Sequence, residues 1–348
     1  FAFLVGVAAA AVILVLPAYV FHDLDFGHAV LIGEAVAVAA VTMAIAFVVV
    51  DVGGPARLWH VMPIVGVLNW PSSLLTWDIL VLNGYLVLNL AIPFYILYST
   101  YRGRTPNKRR YVPFVLLSIG WAVSLHLVTA FLFAGLPARP FWNTALLGPR
   151  FLATAFTAGP ALIILVLAII RRFTEMAVRD ATIEKLALVV TVAAQVTLVM
   201  LISELFTEFY RTTHHSHSAK YLYFGLDGYT GLVPWIWTSI VLNVVATAVL
   251  SIHRLRLHPP TLYTACVALF VAIEIEKGMG TIIPGFIPEP WGRIVEYSPT
   301  WVEWTVSLGI LALAGGSGLA PIKSIVETAL RRGVTQPIHL YFGIRAER

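Results

Sequence analysis

Two side chains able to exchange protons, Asp78 and His126, stand in stretches that are otherwise almost free of charge. Glu204 and Glu208 are four apart and so share one helix face. Glu274, Glu276 and Lys277 form another group, in which Glu274 and Lys277 can pair across one turn. Glu34 completes the set. Imidazoles and carboxylates in apolar surroundings can take up and release protons near neutral pH. The residues that could do chemistry are therefore few, and proton exchange is the chemistry they fit.

The elements that must position them are long apolar stretches. About nine segments of roughly 18 to 26 residues, such as Leu31–Val50, Ile79–Tyr98 and Thr154–Ile170, match the ~20 apolar residues that cross a bilayer as a helix. Only helices and closed barrels satisfy their own backbone groups in hydrocarbon. The reading is an all-α, polytopic membrane protein. Its helices are expected over residues 1–20, 29–51, 76–101, 112–136, 150–171, 184–210, 231–252, 260–280 and 300–320. The chain opens at Phe1 inside an apolar run, which predicts preceding residues and a tenth helix in the full protein. Two helical bundles are expected, over 1–136 and 137–280. An outer loop, a last helix and a cytoplasmic tail follow over 281–348. Gly159-Pro160 is expected to interrupt the fifth helix.

Composition supports this class. Hydrophobic residues make up 59% of the chain and charged residues 12%, whereas a soluble domain carries about 25% charge. The net charge of +5 does not indicate nucleic acid, because the basic residues sit in short loops between apolar helices. Loops 102–111, 172–183, 253–259 and the tail hold most Lys and Arg, and the positive-inside rule puts them in the cytoplasm. The longer loops 52–75, 137–149, 211–230 and 281–299 then face the periplasm of a prokaryotic inner membrane. Nine of the ten tryptophans fall at that face, more than a symmetric aromatic belt requires. This asymmetry points to a partner protein or an amphipathic ligand there.

Most of the ionisable residues lean toward the same face. His126 lies about 15 Å from the outer end of its helix at 1.5 Å per residue. A quinone needs such a place, with an apolar slot for its tail and a few proton-exchanging groups at its head. Haem b is not expected, since a transmembrane bis-histidine site needs a second deep histidine beside His126. The lone Cys266 provides no cysteine-ligated iron–sulfur cluster. The His214-His215-Ser216-His217 spacing matches no closed zinc site, so no metal is assigned. No phosphate-cradling GxxxxGK[ST] motif is present.

Several motifs in order carry a family resemblance. Asp51–His60 reads DVGGPARLWH, Ser72–Asn83 reads SSLLTWDILVLN, and Ala138–Trp142 reads ARPFW. Pro149–Leu162 reads PRFLATAFTAGPAL, Ile275–Gly280 reads IEKGMG, and Ile283–Trp304 reads IPGFIPEPWGRIVEYSPTWVEW. The pattern resembles the NrfD/PsrC family of quinone-interacting membrane subunits, and its late motif looks most like the branch containing DsrP and HmcC. The resemblance implies a quinone or menaquinone pocket near the outer face and no haem or iron–sulfur cluster in this subunit. It implies electron exchange with a periplasmic iron–sulfur partner. In that branch, a multihaem cytochrome c and a haem b membrane subunit are further partners, in a sulfur-metabolism complex.

On this reading His126 and Asp78 exchange protons with the head group. Asp51 lies in the family's outer turn, and Arg57, Trp59, Arg139 and Trp142 shape the outer mouth or the partner dock. Glu204, Glu274 and Lys277 form a second polar cluster, structural or proton-conducting. The complex, rather than the isolated chain, is the oxidoreductase. Two other classes compete with it. One is a secondary transporter or proton pathway without redox chemistry. The other is a structural anchor for extracytoplasmic subunits.

Overall fold

The computed structural model describes residues 1–310 except 10, 16, 19–25, 52, 63–64, 174–177, 211–215, 290 and 297. Within these residues the apolar runs form helices and no strand. The first run is α1 (Ala2–Ala9) followed by α2 (Ala11–Val15). The long helices are α3 (Gly27–Asp51), α4 (Leu74–Tyr101), α5 (Lys108–Ala134), α6 (Leu147–Phe173) and α7 (Asp180–Tyr210). After the short α8 (Ser216–Tyr223) come α9 (Val233–Ser251), the single turn α10 (His253–Arg256) and α11 (Pro259–Lys277). A π-helical turn over Gly278–Ile282 leads into α12 (Ile283–Phe286). A last helix covers 301–310, and its expected continuation to 320 lies outside the described residues.

Six of these helices are long and apolar enough to cross a membrane: α3, α4, α5, α6, α7 and α9. The shorter α1–α2 run and α11, with three ionisable residues near its end, complete the packing. Local signals explain the ends. Asn107 caps α5 by accepting a hydrogen bond from the Arg109 amide at 3.0 Å. That cap draws the basic Lys108–Arg110 turn into the helix, four residues before its apolar run begins. Prolines occupy the first turns of α9 and α11, where no internal amide bond is lost.

Gly159-Pro160 does not break the chain's path. Helix α6 runs unbroken through it, with both residues buried. In a membrane helix, neighbouring helices compensate for the missing amide bond. Helix α8, within the expected outer loop, is another difference: it buries Ala219, Tyr221, Leu222 and Tyr223. At eight residues it is too short for a clear apolar period.

Helix α6 is the hub. It packs against α1, α5, α7 and α11, with a buried face of small residues (Ala153, Ala155, Ala158, Gly159, Ala161) that permits close approach. Helices α1, α3, α4 and α5 pack with one another as one group, and α9 packs on both α7 and α11 as a second. Large apolar side chains also point outward: Val87, Leu90 and Phe94 on α4, Val199 and Ile202 on α7, and Val241 and Val245 on α9. A water-exposed protein could not carry such surfaces, whereas lipid covers them at no cost.

The candidate site at the loop-rich ends of the helices

The C-terminal ends of α3, α5, α7 and α11 and the N-terminal ends of α4, α6 and α9 share the end of the bundle that carries the long loops. Asp78 sits in the second turn of α4 and is 2% exposed. Thr129 of α5 faces it, with Oγ1 3.2 Å from Asp78 Oδ1 and 2.9 Å from the Leu125 carbonyl. The hydroxyl has one hydrogen and two acceptor lone pairs, so it can donate to a charged Asp78 or accept from a protonated one. The register is set deeper in the bundle. Trp121 donates from Nε1 to the Val81 carbonyl at 2.9 Å, and its indole lies flush on Gly84.

His126, one turn below Thr129, is 2% exposed. Its Nδ1 lies 3.0 Å from the Ala122 carbonyl. A carbonyl can only accept, so in the neutral ring Nδ1 carries the hydrogen and Nε2 presents a lone pair. Nε2 is buried and has no hydrogen-bond partner among the described residues. It points toward α1 and α6: a Cβ at Gly6 would stand 4.0 Å from Nε2 and 3.6 Å from Ala155.

The second cluster differs from the one expected. Arg150, in the first turn of α6, is 3% exposed and organises it. Its Nε donates to Glu276 Oε1 at 2.9 Å, its Nη2 lies 2.8 Å from the same oxygen, and its Nη1 is paired with Glu204 Oε2. Three helices, α6, α7 and α11, are thereby tied together. Glu274 does not pair with Lys277. The helical turn puts Glu274 on the exposed face of α11 and Glu276 and Lys277 on the buried face. Lys277 Nζ lies 3.2 Å from the centroid of the Phe151 ring and has no hydrogen-bond partner among the described residues. Phe151, against Lys277, and Ala155, beside Gly6 and His126 Nε2, are four residues apart on α6, which therefore runs between the two clusters. Tyr223 of α8, outside the spanning helices, is pushed up to about 12 by burial, with Arg150 opposing. It is a neutral phenol at physiological pH.

The residues expected at the mouth fall into two places, Arg57 and Trp59 on an exposed turn and Arg139 and Trp142 around Phe286. Arg57 and Trp59 are exposed on a 3-10 turn over Pro55–Val61, with Trp59 set edge-on against His60. Arg139 is half-buried; its Nη1 donates to the Phe286 carbonyl at 3.0 Å and its guanidinium lies over the Phe286 ring. Trp142, expected at the mouth or the dock, lies in the core instead. It is fully buried, donates from Nε1 to the Thr281 carbonyl at 2.7 Å, and packs edge-on against Phe133 and Phe286. The Trp142 indole occupies the space a side chain at Gly285 would need. Asp51 ends α3. Glu34 is buried on α3, toward the opposite end of the bundle. His214 and His215 lie outside the described residues.

Sequence reasoning missed Arg150 as a site residue because it stands where a loop becomes a helix. A signal was present: Arg150 opens a run that is otherwise uncharged through Ile170, and a cation there requires a buried partner.

The described residues thus form a helical membrane scaffold with buried ionisable groups toward one rim. The NrfD polysulphide reductase family model matches residues 1–276, and the chain belongs to that family. It is similar to a selenate reductase subunit of Mesobacillus selenatarsenatis, at 21% identity over 89% of this chain and 80% of that protein. It is also similar to the Hdr-like menaquinol oxidoreductase integral membrane subunit of Archaeoglobus fulgidus, at 23% identity over 89% and 79%. A putative dimethyl sulfoxide reductase membrane subunit of Halobacterium salinarum matches at 23% identity over 90% and 78%.

Proposed function

We propose that this chain is the quinol-binding membrane subunit of an oxidoreductase complex, and that His126 and Asp78 exchange protons with the head group near the loop-rich end. The observation that carries this is His126 Nε2, a buried proton-accepting lone pair without a protein partner among the described residues. A quinol, when bound, supplies two electrons and two protons. His126 takes one proton at Nε2 while the Ala122 carbonyl holds its ring orientation. Asp78 takes the other on its carboxylate, and the Thr129 hydroxyl adapts to either state. Burial of both side chains keeps competing water out.

The electrons pass to an iron–sulfur subunit docked on the long loops, where exposed Arg57 and Trp59 and half-buried Arg139 serve as contacts. The basic bias of the opposite loops supports a periplasmic position for this end in the inner membrane. The menaquinol named for the Archaeoglobus relative supports menaquinol here. The ordered late motif from Ile283 to Trp304 supports the DsrP/HmcC branch and its sulfur-metabolism complexes. That branch brings a multihaem cytochrome c and a haem b membrane subunit as further partners.

The test is His126→Ala in the assembled complex. A positioned acid or base contributes about 10²–10⁴-fold, so quinol turnover falls by about 100-fold or more while the subunits still co-purify. Wild-type quinol kinetics in a fully assembled variant would remove His126 from the site.

A further inference from the structure

We propose that the head-group site extends into the second helical group, where Lys277 Nζ and Thr281 Oγ1 donate to the ring oxygen remote from His126. The inference rests on the quinol reading above and adds a second wall to it. Lys277 is the last residue of α11 and is 3% exposed. An ammonium carries three donors and no acceptor. The face of Phe151, 3.2 Å away at its centroid, meets the cation from one side. Glu276, its neighbour, is engaged by the Arg150 guanidinium. The Lys277 donors therefore have no acceptor among the described residues.

Thr281, four residues on in the π-helical turn, is 2% exposed and its Oγ1 also has no partner there. Its own carbonyl is held by Trp142 Nε1. Short π-helical turns inside helices recur at functional sites, where the extra residue re-aims a side chain. Two buried donors without an acceptor among the described residues thus lie four residues apart where α11 passes into the π-helical turn.

Their position relative to His126 follows from α6. Phe151, under Lys277, and Ala155, beside Gly6 and His126 Nε2, are one turn apart on the same α6 face. Gly6 and Ala155, both small, stand between the two sides. One side presents a lone pair and the other presents donors. An aromatic head group with oxygens at opposite ends matches both: one oxygen meets His126, and the far oxygen, a carbonyl in the oxidised ring, accepts from Lys277 and Thr281. A ligand with a single oxygen leaves one side unmet.

The experiment is a fluorescence-quench titration of a 2-alkyl-4-hydroxyquinoline N-oxide into the purified complex, which reads binding without turnover. Lys277→Met weakens binding about tenfold or more, as expected for loss of a charged hydrogen bond, and Thr281→Val weakens it several-fold. Should Lys277→Met fail to assemble, Lys277→Gln keeps a polar side chain and gives the same reading. Wild-type affinity in the Lys277 variants, with binding weakened in His126→Ala, overturns this inference and leaves the quinol reading standing. No binding to the wild-type complex, or binding untouched by all three positions, overturns both.

Discussion

Arg150 is held by partners 54 and 126 residues away in sequence, Glu204 and Glu276. Sequence spacing alone favoured the local pair Glu274–Lys277, because residues three apart on a helix can touch. The helical period decides otherwise: Ile273, Glu276 and Lys277 face inward together, and Glu274 faces out. Asp78 and His126 were legible because a titratable group inside an apolar run is conspicuous. Their mutual geometry was not, since it depends on how α4 and α5 align. Two predictions belong here. Arg150→Met leaves Glu204 and Glu276 buried without their cation and lowers stability by about 3–5 kcal/mol, read as a drop in the thermal midpoint of the detergent-solubilised complex. Glu274→Gln changes stability by no more than about 0.5 kcal/mol and leaves that midpoint near wild type, as for an exposed position away from the core. A large loss from Glu274→Gln would contradict the orientation of α11.

At the level of elements, the helices were readable where apolar length and capping residues agree. The Asn107 cap, the early prolines of α9 and α11 and the six long apolar spans are all local signals. Helix α8 was not readable, because its burial comes from α9 and α12 packing over it rather than from a period of its own. The unbroken path of α6 through Pro160 is likewise a tertiary effect. The α4–α5 register rests on the Trp121 indole lying against Gly84. Gly84→Ala forces that ring off the Val81 carbonyl and costs about 1–3 kcal/mol by overpacking. It also moves Asp78 relative to Thr129. The thermal midpoint and quinol turnover should fall together, and a variant with unchanged values for both would show that the register is set elsewhere.

Across the whole bundle, one end holds Asp78, Arg150, Glu204, Glu276, Lys277 and exposed tryptophans such as Trp59, Trp70 and Trp235, while the outward helix faces remain apolar. That division suits a protein that receives a lipid-borne ligand from the side and a protein partner from above. The unbroken α6 removes the broken helix that would have favoured a transporter. Trp59→Ala, on the exposed turn, is predicted to weaken retention of the iron–sulfur subunit by about tenfold or more in co-purification while leaving quinone-analogue affinity unchanged.

Photoaffinity labelling locates the head group itself. An azido-quinone is irradiated with the intact complex in membranes, and the labelled peptides are read by mass spectrometry. Label is expected on α5 around His126 and on α6 around Phe151–Ala155, displaced by excess unmodified quinone. Displaceable label confined to the lipid-facing surfaces of α7 and α9, with none on α5 or α6, would contradict that placement.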